Sequence, residues 1–142
     1  MPSTLIKTVM LDAPRQTVWS FLTDANKLGT WFHESDVDLV PGSAFQLMHR
    51  PESGKTGRVC WGEVVTMDPP SLLVHTFTFD ALEGAPTKVT WTLEEVFGGT
   101  RLTLMHEGLH LVAGDATKDM MMALDVGWDE HLARLRPAVK GA

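Results

Sequence analysis

The histidines and acidic residues are the first side chains to consider for chemistry. His106, Glu107 and His110 form the pattern H-E-x-x-H, which on a helix holds zinc between two histidines and uses the glutamate as a base. That geometry needs a regular helix, whereas this run follows a strand-like segment and contains Gly108, a poor helix former. No third ligand is apparent nearby. We therefore expect neither a metal site nor a cofactor.

Four polar side chains could face the interior, because they alternate with apolar neighbours along strand-like segments. They are His49, Glu63, His75 and His106. A neutral histidine in an apolar space can orient a ligand hydroxyl or carbonyl, or act as a general acid or base. The alternative is a histidine satisfied by a hydrogen bond within the protein. The sequence leaves both readings open and assigns no catalytic residue.

Basic residues cluster around one turn of the chain. Arg50, Lys55 and Arg58 flank the turn Pro51–Gly57, which we expect at one end of a sheet. Solvated charge on a hairpin is the ordinary reading, since exposed Lys and Arg are the default there. The functional alternative is recruitment of a ligand carboxylate or phosphate.

Composition excludes several classes of function. The formal net charge of −6 opposes binding to nucleic acid, which needs clustered Lys and Arg. The single cysteine, Cys60, excludes an internal disulfide and is expected to be a small buried hydrophobe. The chain has no apolar run long enough to span a membrane, and its start does not resemble a signal peptide. We expect a cytoplasmic protein without membrane insertion.

Hydrophobic periodicity predicts an α+β fold in a single domain, residues 1–142. A strand at residues 4–11 precedes two short helices, which begin near Pro14 and, after the cap signal Thr23-Asp24, around Leu28. Period-two alternation then predicts strands at residues 44–50, 57–67, 72–80, 88–97 and 101–107. Gly98-Gly99 indicates a two-residue hairpin between the last two strands. These strands form an antiparallel meander.

One long amphipathic helix is predicted past His110, ending at Pro137 or just beyond it. Its apolar stripe consists of Met121, Leu124, Trp128, Leu132 and Leu135. Gly127 costs helix stability, and we expect close packing against the sheet to compensate.

Motifs along nearly the whole chain resemble one known family. They are Ala13-Pro14 with Val18-Trp19, Leu22-Thr23-Asp24 with Trp31-Phe32, Gly62-Glu63-Val64 with Asp68-Pro69-Pro70, Gly98 to Leu104 with His106, and Gly127-Trp128. In this respect the chain is similar to bacterial START-like (SRPBCC) proteins related to the C-terminal domain of the activator of heat-shock-protein-90 ATPase. The resemblance implies a helix-grip fold: a curved antiparallel sheet of six to seven strands, two short N-terminal helices and a long C-terminal helix.

The resemblance also implies an apolar cavity between sheet and helix. Its expected lining is Trp31, Phe45, Cys60, Glu63, His75, Phe77, Phe79, Trp91, Leu104, His106, Met120, Met121, Leu124 and Trp128. Methionine-rich walls adapt to varied guests, although the same residues could simply fill a core. The expected partner is a small hydrophobic molecule.

Two other functions are considered as alternatives to ligand binding. One is a polyketide cyclase-like or hydrolase-like enzyme that uses the same cavity, with His75, His106 or Glu63 as acid or base. The other is a co-chaperone-like interaction factor, although the eukaryotic activator makes chaperone contact through an additional domain absent from this sequence. A homodimer is possible, because relatives often pair.

Overall fold

A six-stranded antiparallel sheet and four α-helices make up the part of the chain that the structure, a computed structural model, describes, residues 3–141. The strands are β1 (Leu5–Leu11), β2 (Ala44–Met48), β3 (Arg58–Asp68), β4 (Leu72–Phe79), β5 (Thr87–Val96) and β6 (Gly99–Glu107). The helices are α1 (Arg15–Thr23), α2 (Ala25–Trp31), α3 (Leu109–Ala113) and α4 (Thr117–Lys140). The predicted α+β class is confirmed, and every predicted strand is present to within two residues.

The sheet has the strand order β1-β6-β5-β4-β3-β2. Each neighbouring pair from β2 to β6 is joined by a direct connection, and β1 closes the edge by pairing with β6 from Leu5↔His106 to Leu11↔Thr100. A register shift between Val64 and Thr66 interrupts the β3–β4 ladder. Such irregularities bend a strand, and the sheet curves around α4.

The two short helices begin where the sequence indicates. Asp24 separates them, and its side chain accepts hydrogen bonds from the backbone N–H groups of Asn26 and Lys27 at 3.0 and 2.9 Å. This contact satisfies two of the free donors at the start of α2. Pro14 directly precedes α1 with extended backbone.

The C-terminal region differs from the single helix that periodicity predicts. Gly114, with φ of 54°, ends α3 and starts a single turn of 3-10 helix before α4. A positive φ costs glycine little, so the chain breaks there. Pro137 lies within the last turn of α4, which ends at Lys140. Across residues 3–141, none of the helices is both long and apolar enough to cross a membrane.

The last hairpin is confirmed, but its turn lies one residue earlier than predicted. Phe97 and Gly98 occupy the turn with φ of 48° and 84°, and Gly99 already pairs with Val96. Glycine is required at 99 for another reason: a Cβ atom there would lie 2.8 Å from the carbonyl oxygen of Leu11.

Helix α4 fully buries side chains against the concave face in only half of its length. In its C-terminal half, residues 128–140, four apolar side chains are buried: Trp128, Leu132, Leu135 and Val139. In its N-terminal half, residues 117–127, no side chain is buried. A Cβ atom on Gly127 would meet nothing within 4 Å. The expected close packing at Gly127 is therefore wrong.

Candidate functional site

Most residues predicted to line a cavity do meet between the sheet and the helices. Nine of them are buried: Trp31, Phe45, Cys60, His75, Phe77, Trp91, Leu104, His106 and Trp128. Four are half-buried at the edge of this layer: Phe79, Met120, Met121 and Leu124. Burial raises the pKa of the Cys60 thiol, which fits the predicted role as a small hydrophobe.

Glu63 is the exception, and its predicted place in the cavity wall is wrong. It lies exposed on the outer face of the sheet, because its neighbours in β3, Gly62 and Val64, are the residues that face inward. Side chains alternate along a strand, so only one of these two sets can be interior. His49, just after β2, is half-buried.

Aromatic rings fill the space where the sequence predicts an open cavity. The ring of Trp91 contacts Trp31 and Trp128 edge-on, with centroids 6.0 and 5.6 Å apart. Phe32 packs against Trp128 at 5.3 Å. The gap that remains beside Trp31, Phe45 and Trp91 has a volume of about 10 Å³, room for roughly one water molecule. The interior is a packed core in this form of the protein.

His106 stands in a chain of hydrogen bonds that fixes its proton. The indole Nε1–H of Trp128 donates to His106 Nδ1 at 3.2 Å. The hydroxyl of Thr87 donates to the Phe77 carbonyl oxygen at 2.6 Å, so it must accept from His106 Nε2–H, 2.8 Å away. An indole can only donate, and His106 is therefore neutral. Burial lowers its pKa from 6.5 to about 4.

His75 is held in the other tautomer by the same principle. The indole Nε1–H of Trp91 donates to His75 Nε2 at 3.0 Å, and the Nδ1–H of His75 donates to the Thr76 carbonyl oxygen at 2.8 Å. Burial lowers its pKa from 6.5 to about 4. Both ring nitrogens of both interior histidines are thus occupied. This arrangement agrees with the alternative in which each histidine is satisfied by hydrogen bonds within the protein.

The H-E-x-x-H run does not form a metal centre. His106 and Glu107 end β6, Gly108 has φ of 89°, and His110 lies in α3 with its ring bonded to Ser3 at 2.5 Å. The two histidines therefore point to different surroundings. Over residues 3–141, no three His, Cys, Asp or Glu side chains gather in a geometry suited to a metal ion.

A second polar group is only partly visible in the sequence. His33 follows α2, Arg50 follows β2, and His131 and Arg134 lie one turn apart on α4; we call these four residues the His–Arg cluster. The rings of His33 and His131 lie 5.3 Å apart, and Arg134 donates to His131 Nδ1 at 3.0 Å and to the Trp31 carbonyl oxygen at 3.3 Å. The sequence singles out only Arg50, because the cluster joins three distant segments.

The cluster is electropositive and partly shielded from water. Burial, followed by the charge of Arg50, lowers the pKa of His33 from 6.5 to about 4. Burial, followed by His33, Arg134 and Arg50, lowers the pKa of His131 to about 3. The segment that carries Arg50 lies beside that of His33, because the Met48 N–H donates to the Glu34 carbonyl oxygen at 2.9 Å.

The other two basic residues of the predicted turn cluster behave as ordinary surface charge. Arg58 stacks over the ring of Trp61 at 3.6 Å, and Lys55 is exposed. Arg50 alone turns inward, with a quarter of its side chain exposed.

The sequence profile of one family matches residues 12–140. Its description is Activator of Hsp90 ATPase homolog 1-like protein. The chain belongs to this family. The START-like resemblance seen in the sequence is thereby confirmed. A comparison with functionally curated proteins gives no match.

Several solved structures have a similar fold. CalU16 from Micromonospora echinospora is 26% identical, with a TM-score of 0.76 over 98% of this chain and 80% of its own. DynU16, from the dynemicin biosynthetic locus, is 21% identical, with a TM-score of 0.77 over 99% of this chain and 48% of its own. PFC0360w, an HSP90 activator from Plasmodium falciparum, is 25% identical, with a TM-score of 0.60 over 73% and 71%.

Proposed function

We propose that the protein binds a small, largely apolar molecule between the concave face of its sheet and the N-terminal half of α4. The observation that carries this proposal is the uneven packing of α4. Residues 117–127 bury no side chain, although Met120, Met121 and Leu124 rest against the core, whereas residues 128–140 are anchored by four buried side chains. Segments with few buried apolar contacts open at low free-energy cost.

Polar contacts rather than apolar burial hold the loosely packed half. Lys7 on β1 pairs with Asp125 of this half at 2.5 Å, and also with Asp129 of the anchored half at 2.9 Å. Both carboxylates are about half exposed, and ion pairs at a protein surface stabilise it by about 1 kcal/mol or less. Beside this half, a surface groove of about 390 Å³ runs between α3 and α4 and includes Met121 and Met122. An apolar guest can therefore approach without unfolding the anchored half.

A guest must displace side chains, since the interior gap is only about 10 Å³. Methionine is suited to this, because its unbranched side chain repacks around different shapes. Met120, Met121 and Leu124 are the half-buried residues expected to move. The binding mode is therefore one in which the N-terminal half of α4 shifts outward and its methionines line the ligand.

The test is titration of the full chain with decanol, a neutral apolar probe, followed by methyl NMR. We expect saturable shifts at Met120, Met121 and Leu124. Leu124→Asp should weaken binding about tenfold or more, because it places a charge against the guest. Val126→Asp is the matched control, since Val126 is exposed on the same helix, and it should bind like the wild type. Absence of saturable shifts at these methyl groups would contradict the proposal.

An enzyme of the cyclase kind is the weaker reading of the same site. The two interior histidines have no free ring nitrogen to offer a substrate, since Trp91 and Trp128 occupy the acceptor positions. The link of DynU16 to a biosynthetic locus is a reason to include natural-product ligands among the probes.

Contact with a chaperone of the Hsp90 type is a second candidate function. The family description refers to activation of the Hsp90 ATPase, and the Plasmodium protein of similar fold is described as an HSP90 activator. Stimulation of the ATPase rate of purified Hsp90 by the chain would favour this role. The cytoplasmic location and the homodimer stay predictions.

A further inference from the structure

The guanidinium of Arg50 has an unused hydrogen-bonding edge. Its Nη1 lies 3.5 Å from Glu52 Oε1, whereas its Nε and Nη2 are buried without a partner among residues 3–141. These two N–H groups point the same way and form the fork that grips the two oxygens of a carboxylate or phosphate. A buried donor without a hydrogen-bond partner costs free energy. An acceptor that reached these two N–H groups would therefore be bound favourably.

A second buried nitrogen in the cluster also lacks a partner. His33 Nδ1 makes no hydrogen bond within the described residues. The guanidinium of Arg134 is fixed close to this point by the Trp31 carbonyl oxygen and by His131 Nδ1. Two guanidinium groups and two imidazoles thus meet in a chain whose net charge is −6. Among residues 3–141, Glu52 is the one carboxylate within ion-pair distance of the cluster. Its side chain is 69% exposed.

The cluster lies beside the anchored half of α4, one aromatic layer away from the proposed ligand space. Phe32 lies between the two: its ring is 4.6 Å from His131 and 5.3 Å from Trp128. The ring of His131 also lies 6.1 Å from Trp128, so Phe32 and Trp128 together form the aromatic layer beside the cluster. A molecule held under α4 with a polar end of suitable length would bring that end to Arg50.

We propose that the His–Arg cluster binds the carboxylate or phosphate head group of the apolar ligand, with Arg50 as the bidentate contact. The inference rests on the proposed function, because it assigns the polar end of the same ligand. The ligand class is then an amphipathic oxyanion: one apolar chain or ring system with one terminal acidic group. The head group supplies the acceptors that Nε and Nη2 of Arg50 lack.

The test compares three probes that share one apolar chain: decanoate, decyl phosphate and decanol, each below its micelle-forming concentration. Calorimetry on the full chain should give affinities for at least one anionic probe that are about tenfold or more above that for decanol, since charged hydrogen bonds are added. Whichever anion binds more tightly identifies the head group as carboxylate or phosphate. The Arg50 Nε–H resonance should shift on binding.

Variants at Arg50 separate charge from geometry. Arg50→Gln should remove the preference for the anionic probes, and Arg50→Lys should restore only part of it, because an ammonium lacks the fork. Arg58→Gln is the matched control, since Arg58 stacks on Trp61 outside the cluster, and it should keep the full preference. Circular dichroism and thermal unfolding establish that each variant is folded.

The outcomes distinguish the two proposals. Equal affinities for decanol and both anions, or an anion preference that survives in Arg50→Gln, would overturn the head-group site and leave the proposed function standing. Binding of inorganic phosphate that depends on Arg50, without binding of any decyl probe, would support an anion site and overturn the apolar function. No binding of any probe would overturn both.

Discussion

At the scale of single residues, two indole groups decide the state of two histidines. Trp128 donates to His106, and Trp91 donates to His75. An indole N–H has no acceptor capacity, so each imidazole must present a bare nitrogen to it. Protonation of either ring would place two donors face to face inside the core. The tryptophans therefore keep both rings neutral as well as filling space.

Removal of either donor should destabilise the protein. Trp128→Phe and Trp91→Phe each leave a buried imidazole nitrogen unpaired, and we expect a loss of about 1–3 kcal/mol in the free energy of unfolding. The pKa of the affected histidine should also rise, which NMR titration would detect. Urea unfolding gives the free energies.

Trp61→Phe is the matched control for these two variants. Trp61 lies half-buried on the outer face, stacked with Arg58, and it donates to neither interior histidine. Its replacement should change stability by less than about 0.5 kcal/mol. A loss at Trp91 or Trp128 no larger than the loss at Trp61 would contradict a stabilising role of the donated hydrogen bonds.

Strand alternation could predict that His75 and His106 point inward, but not what they meet there. Thr87 lies 19 residues from His106 in sequence, and Trp128 lies 22 residues away. Their contact depends on the register of β5 with β6 and on the rotation of α4. Neither the strand register nor the helix rotation can be predicted from a local sequence pattern.

At the scale of elements, Gly127 marks the boundary between the two halves of α4. It directly precedes Trp128, the first buried residue of the helix. A Cβ atom at this position would touch nothing within 4 Å, so the lack of a side chain serves no packing need. Glycine lowers helix stability, and its effect here is to make the helix easier to deform at the boundary.

Gly127→Ala should therefore stabilise the protein by about 0.5–1 kcal/mol. It should also slow hydrogen exchange across residues 117–127. Gly62→Ala provides the contrast: its Cβ atom would lie 2.0 Å from the backbone oxygen of Thr76, and a loss of about 1–3 kcal/mol is expected. Thermal and urea unfolding measure both effects. Destabilisation by Gly127→Ala would contradict the open space described for it.

The positions of the strands and helices could largely be predicted from the sequence. The helix break and the face of the sheet on which a side chain lies could not. The strands follow period-two alternation, and the cap at Asp24 follows side-chain chemistry. The break at Gly114 lies inside a helical pattern, where a single glycine is usually tolerated. Alternation places Glu63 on the wrong face because Gly62 has no side chain with which to mark the buried one.

At the scale of the whole molecule, the interior is filled by its own aromatic rings. The composition indicates bulky apolar surface, but composition cannot tell a lined cavity from a packed core. The difference depends on rotamers at Trp31, Phe32, Trp91 and Trp128, each of which has its ring 5.3–6.0 Å from two of the others. The His–Arg cluster escapes prediction for the same reason, since it forms only when three segments meet.

Stability should fall on mild acidification. The pKa values of His75 and His106 are lowered from 6.5 to about 4, so the unfolded chain binds protons that the folded protein does not. Stability is then full above about pH 6.5 and falls as the pH drops toward 4. From about pH 7 to about pH 5.5 each histidine should cost about 1 kcal/mol.

Urea unfolding at the two pH values measures this loss. His106→Gln should make the pH dependence shallower, because glutamine can both accept and donate without titrating. Stability that is constant across this range would contradict the assignment of buried neutral imidazoles.

The packed tryptophans also give the molecule a built-in optical signal. The sequence contains five tryptophans and no tyrosine, so near-ultraviolet emission arises almost wholly from indole. Trp31, Trp91 and Trp128 are buried, the ring of Trp91 contacts the other two, and Trp91 and Trp128 donate to imidazole rings. Entry of a guest beneath the N-terminal half of α4 would change the surroundings of Trp128, and with them emission and circular dichroism. Ligand binding can therefore be followed by tryptophan fluorescence and circular dichroism, without a label.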